Sequence, residues 1–203
     1  MPDVDLYLDP VCPFSWVTSR WLLDAARATH TPVTLRQMSL AVLNEGKDLQ
    51  DQQKRMMERS RRLGRLFAAV TTKHGPDGFA RLYDAIGAHI RVQDEEMTAG
   101  EIEQILGACD LEESLSGALE DSGLDEEVRR AHQASQDALG GSAGSPIIAV
   151  HGRGFHGPVM TRIPGHEDGV RLLDAVLVAA QSPEFATLQR PVQGPPTLEE
   201  VSH

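Results

Sequence analysis

Apolar and polar positions alternate from Val4 to Leu8, with Val4, Leu6 and Leu8 in phase, which is the period of a strand with one buried face. From Pro13 to about Ala28 the period becomes helical. Trp16, Arg20 and Leu23 share one stripe, with Val17, Trp21 and Ala25 beside it. After the Thr31-Pro32 turn, Val33, Leu35 and Gln37 alternate with Thr34 and Arg36, which predicts a second strand. This β-α-β opening is close to the shortest parallel crossover unit.

Residues 47 to 139 show only helical periods. Met56, Leu63, Phe67 and Val70 share a face, predicting a long amphipathic helix from Lys47 to Lys73 that Gly75-Pro76 interrupts. Further helices are expected at Phe79 to His89, around Ile102, Ile105 and Leu106, at Leu111 to Leu119, and at Asp125 to Leu139. Gly140-Gly141-Ser142-Ala143-Gly144 is a break. Ser145 to Val150 then reads as a buried strand, Gly154-Phe155-His156 as its hairpin mate, and Asp168 to Ala180 as a last helix. The order is β-α-β, a helical block, then β-β-α. It predicts an α/β, thioredoxin-like fold with a large all-helical insertion. Residues 1–46 and 140–182 would form the discontinuous core domain and 47–139 the insertion. Residues 183–203 form a Pro-rich tail, expected to be extended or disordered.

The chemistry concentrates at the first strand-to-helix junction, D-P-V-C-P-F-S-W-V-T-S-R-W from Asp9 to Trp21. Cys12 falls at a helix N-terminus, where unpaired N–H groups and the helix dipole favour an anion, so its thiol is expected to be acidified. Pro13 suits the first helical turn. The plainer reading is a buried cysteine beside a helix that starts with proline. In a redox dithiol the fourth position is a second cysteine. Here it is Ser15, whose hydroxyl can donate to a thiolate but cannot close a disulfide.

Composition narrows the options. The net charge of −11 opposes a nucleic-acid or anionic-membrane partner. No segment approaches the roughly 18 apolar residues of a membrane span, and the first residues lack a signal-peptide pattern. Two cysteines do not make a disulfide framework, and a reducing cytoplasm is expected.

Five stretches together resemble a known family: the motif around Cys12, Met38 to Glu45 (M-S-L-A-V-L-N-E), Leu82 to Gly87 (L-Y-D-A-I-G), Gly144 to Val150 (G-S-P-I-I-A-V) and Gly157 to Pro164 (G-P-V-M-T-R-I-P). The chain is similar to the thioredoxin-fold proteins around DsbA, and more closely to their actinobacterial mycothiol-dependent reductases, one type of which is a nitroreductase. The resemblance implies a cis peptide before Pro146 in a loop facing Cys12. It also implies homodimers and chemistry with a low-molecular-weight thiol, mycothiol or alternatively glutathione. Ser15 departs from these relatives, which usually carry a second cysteine there. More distant kin, the kappa-class glutathione transferases and chromene-carboxylate isomerases, keep a serine near the helix start. Three functions follow: a monothiol oxidoreductase working through Cys12 and Ser15, a thiol-dependent transferase or isomerase, or a non-catalytic binding module.

Pro13, Phe14, Ser145 and Pro146 are the candidate substrate contacts, with His156 facing them from the hairpin and Asn44 added on resemblance alone. Cys109 is a candidate remote resolving thiol, against a plainer role as a small buried helix residue. His151, His156 and His166 have no compact zinc spacing, and no metal is expected. Lys54, Arg55, Arg59, Arg61, Arg62 and Arg65 form a basic cluster, whereas residues 92 to 128 hold 13 acidic side chains and no Lys or Arg. The two runs either pair as solvated faces or lend arginines to an anionic substrate.

Overall fold

The computed structural model describes residues 3–92, 97–192 and 194–197. The chain divides into two compact units. One comprises Met1–Tyr7, Cys12–Thr34 and Ser135–His203, the other Leu8–Val11 and Leu35–Ala134.

A four-stranded sheet is formed by β1 (Val4–Leu8), β2 (Val33–Gln37), β3 (Ile147–Val150) and β4 (Arg153–His156), in the order β2-β1-β3-β4. β1 and β3 are antiparallel, with Val4 opposite Val150 and Leu6 opposite Ile148. All four β3 residues are buried, as its unbroken apolar run requires of a central strand. β3 turns into antiparallel β4 through His151 and Gly152 alone, both at positive φ (50° and 76°). Positive φ at both positions matches the right-handed twist of the flanking strands.

Helix α1 (Pro13–Thr29) begins with Pro13 at its first position and ends at His30, a left-handed cap whose N–H bonds back to Ala26 and Arg27. Its buried face holds Trp16, Val17, Trp21 and Ala25 of the expected stripes and adds Leu22, while Arg20 and Leu23 are only half-buried. The helix crosses α6 (His166–Gln181), where Trp21 Nε1 donates to Gly169 O at 2.9 Å. A Cβ at Gly169 would stand 3.2 Å from the Trp21 ring, so this close approach uses the missing side chain.

None of the described residues between 47 and 139 lies in a strand. Ser39 caps the short α2 (Leu40–Leu43) by accepting from Val42 N–H. The long helix α3 (Asp51–Val92) starts later than the expected Lys47 and is interrupted at Gly75 (φ 66°, ψ −165°) just before Pro76. Phe67 on one side of the interruption meets Phe79 on the other at 4.9 Å between ring centroids, and Phe79 stacks on Tyr83 at 6.1 Å. A reciprocal Thr98–Glu101 capping box starts α4 (Ala99–Ala108). The helix expected over Leu111 to Leu119 is instead two 3-10 segments, Glu113–Glu120 and Ser122–Leu124, joined where the Asp121 carboxylate accepts from Gly123 N–H. That side-chain bond competes with helical continuation. Helix α5 (Asp125–Leu139) follows, its last residues counted with the first unit.

Arg62 and Arg65 of the basic run pair with the acidic run, while Lys54 and Arg61 meet Asp51, Glu45 and Glu58 instead. Arg65 forks onto both oxygens of Asp125 (2.6 and 3.0 Å), Arg62 meets Glu120 at 2.7 Å, and Lys73 and His74 converge on Glu112 at 2.8 and 2.6 Å. Those bonds hold the Glu112 carboxyl far down, at about 2. The tail has no regular structure in its described residues, yet it is anchored twice. The Phe185 ring sits edge-on to Phe155 of β4 at 5.7 Å, and Thr197 N–H donates to Thr161 O at 2.8 Å.

Candidate active site

β1 leads through Asp9, Pro10 and Val11 into Cys12, the N-cap of α1, whose extended backbone (φ −74°, ψ 114°) starts the helix. Only 4% of Cys12 is exposed, and its sulfur forms no disulfide. Its sulfur stands 3.4 Å from the carbonyl oxygen of Ser145, 133 residues away in sequence. A carbonyl only accepts, so Cys12 S–H is the donor and the bond favours the neutral thiol. No cap hydrogen bond reaches the sulfur from the first turn. Two opposed influences meet here: the helix N-terminus favours a thiolate, while burial and the carbonyl favour the thiol.

The Ser15 hydroxyl, one turn into the helix and fully buried, lies 2.5 Å from the Ser145 hydroxyl. Cys12 and Ser15 thus converge on one residue, bonding to its carbonyl and its side chain respectively. Ser15 was expected to serve the sulfur directly; the partner found for its hydroxyl is Ser145.

The Ser145-Pro146 peptide is cis, as the resemblance implied, and Gly157-Pro158, which the sequence reading passed over, is cis as well. The two segments are tied together, since Gly157 N–H donates to Pro146 O at 2.8 Å and Ile148 N–H to Gly157 O at 3.2 Å. Thr18 on α1 donates to Pro158 O at 2.7 Å. The helix therefore grips both proline segments, through Cys12 and Ser15 at one and Thr18 at the other.

The other candidates sort by position. Pro13 and Phe14 are half-buried directly after Cys12. His156 ends edge strand β4 exposed, beside the glycine that bonds Pro146. Asn44 lies in the second unit, where its amide donates to Leu40 O at 2.8 Å and its oxygen accepts from Lys47, so it closes α2. Cys109 is also in the second unit, its sulfur 3.6 Å from Arg81 O, and burial pushes its thiol up. Among the described residues no group of three or more His, Cys, Asp or Glu is placed to hold a metal, and no helix is long and apolar enough to cross a membrane.

Sequence reasoning missed Asp9. Its carboxyl is fully buried and accepts from Val11 N–H (2.9 Å), Leu40 N–H (2.7 Å) and Ser60 Oγ (2.5 Å). Burial pushes its pKa up against the pull of these donors. An acidic residue directly before the thiol motif was the available signal.

Comparison with known proteins gives the family and the fold. Residues 11–190 match the model of the family described as Rv2466c-like, mycothiol-dependent nitroreductase Rv2466c. The chain is 27% identical over 197 residues to the uncharacterised protein Rv2286c of Mycobacterium tuberculosis, covering 94% of this chain and 83% of that one. Among solved structures, a probable DsbA oxidoreductase from Streptomyces coelicolor, SCO1869, superposes with a TM-score of 0.60 at 16% identity, covering 94% of both chains. The cytosolic disulfide reductase DsbM from Pseudomonas aeruginosa, solved with GSH, gives 0.56 at 15% identity, covering 87% of this chain and 99% of that one. At such identities these neighbours speak for the fold, a DsbA-like thioredoxin fold with a helical insertion.

Proposed function

This chain belongs to the Rv2466c-like family, and from that membership and the Cys12 site we propose that it is a monothiol thiol-disulfide oxidoreductase regenerated by a low-molecular-weight thiol, mycothiol by family. The observation that supports this best is the placement of Cys12 at the α1 N-terminus against the Ser145 carbonyl, with a serine where a second thiol would stand.

Reaction begins when Cys12 gives up its proton and with it the S–H···O bond to Ser145. The thiolate then faces the first-turn N–H groups of α1. It attacks one sulfur of a disulfide RS–SR′, forming Cys12–S–SR and expelling R′S⁻. A second thiolate RS⁻ attacks the Cys12 adduct, releasing RS–SR and restoring Cys12. Overall one thiol and one mixed disulfide become a symmetric disulfide and R′SH, and Ser15 takes no electrons. A nitro or other electrophilic acceptor would take the two electrons released when two such thiols join. Pro13, Phe14 and the Ser145-Pro146 segment would bound the incoming group, with His156 at its edge.

Mass spectrometry after exposure to mycothiol disulfide tests this. Wild type should stop at one stable adduct on Cys12. Cys12→Ser should form none, Cys109→Ser should form it unchanged, and Ser15→Cys should convert it into an intramolecular disulfide. If wild type resolves the adduct unaided and Cys109→Ser traps it, the monothiol mechanism is wrong. A second reading rests on Ser15 itself, because loss of the dithiol also suits a transferase or isomerase. Product formation without thiol oxidation would favour it.

A further inference from the structure

Asp9 is buried without any part in the thiol chemistry derived above. Its two oxygens divide their work: Oδ1 accepts from Val11 N–H, while Oδ2 accepts from Leu40 N–H and Ser60 Oγ. Ser60 Oγ in turn accepts from Ala41 N–H at 3.1 Å, which commits its own proton to Asp9. Leu40 and Ala41 open α2, whose next N–H, on Val42, is taken by Ser39. The carboxylate thereby joins the first turn of α2 and a serine on α3 to the turn Pro10-Val11, which runs straight into Cys12.

We propose that Asp9 is a positioning residue for Cys12: by holding Val11 N–H it fixes the turn that aims the Cys12 sulfur at an incoming disulfide. This rests on the proposed thiol function. Each oxygen has a different task, so the role can be dissected. In Asp9→Asn the remaining oxygen can serve Leu40 and Ser60, and the new –NH₂ then faces Val11 N–H, donor against donor. The variant should release the Val11 amide without changing side-chain volume. Ser60→Ala breaks the α2 and α3 side of the network and leaves the bond to Val11.

Two measurements decide. Hydrogen exchange should show the Val11 amide protected in wild type and Ser60→Ala, and faster by about tenfold or more in Asp9→Asn, as losing a buried acceptor predicts. The rate of Cys12 modification should then be followed across pH to its plateau, where the thiol is fully ionised and differences in acidity vanish. There Asp9→Asn should react about tenfold more slowly with mycothiol disulfide, which needs an aimed sulfur, and at nearly the wild-type rate with iodoacetamide. Unchanged Val11 exchange in Asp9→Asn overturns the inference. So does an equal slowing of the disulfide reaction by Asp9→Asn and Ser60→Ala, which would make the network merely structural. If wild-type Cys12 forms no adduct at all, the proposed function falls, and Val11 exchange still decides whether Asp9 holds the turn.

Discussion

The contact between Ser15 and Ser145 can be weighed by a double-mutant cycle with Ser15→Ala, Ser145→Ala and the pair. Both side chains are buried, at 0% and 8% exposure, and the hydroxyls are 2.5 Å apart. Each single variant removes one net hydrogen bond worth about 1 kcal/mol from a buried pair and should cost about 1–3 kcal/mol. The double variant removes both polar groups together and should cost less than the sum of the singles, by about 1 kcal/mol. Urea unfolding followed by circular dichroism reads all four proteins, and in a chain of this size each kcal/mol moves the melting temperature by about 2–4 °C. Ser145→Ala keeps the carbonyl that Cys12 uses, so the cycle isolates the hydroxyl pair. Costs that add within about 0.5 kcal/mol would show the two hydroxyls to be uncoupled. The view that Ser15 works through Ser145 would then be wrong.

Two further outcomes follow from the packing. Arg65 holds the Asp125 carboxyl below its ordinary range, chiefly by hydrogen bonding. The stability from this depressed carboxyl is present above its unfolded value near 4 and drains away as pH falls through the lower folded value. Asp125→Asn should cost about 1–3 kcal/mol at neutral pH, given side chains 24% and 11% exposed, and should flatten that acid limb; an unchanged acid limb would refute the assignment. A Cβ at Gly154 would lie 3.0–3.1 Å from backbone atoms of Ala138 and Leu139, which cannot swing aside, so Gly154→Ala should destabilise by about 1–3 kcal/mol. A variant as stable as wild type in urea would show that β4 shifts freely.

The site was legible where a local signal existed. Proline after Cys12, a strand before it and a helical stripe behind it placed the thiol at the α1 N-terminus, because capping geometry is written within a few residues. Ser145-Pro146 could be matched to it through resemblance and strand order. Asp9 could not be read this way, since its donors lie 2, 31 and 51 residues away and a carboxylate beside a turn ordinarily faces water. The 3-10 segments after Leu111 were misread because apolar spacing marks a buried stripe without distinguishing three residues per turn from 3.6. The tail was read by composition, and composition carries no record of Phe185 meeting a single ring on β4.

That meeting bears on the margin of the sheet. β4 is the outermost strand of the sheet beside β3, and an open strand edge invites pairing with any other chain that offers one. Phe185 covers the Phe155 ring on that strand, and the bond from Thr197 to Thr161 ties the chain down again farther along. A stretch that looks expendable in the sequence thus lays an aromatic ring against β4, and shortening the protein after Gln181 would strip that cover from the sheet margin.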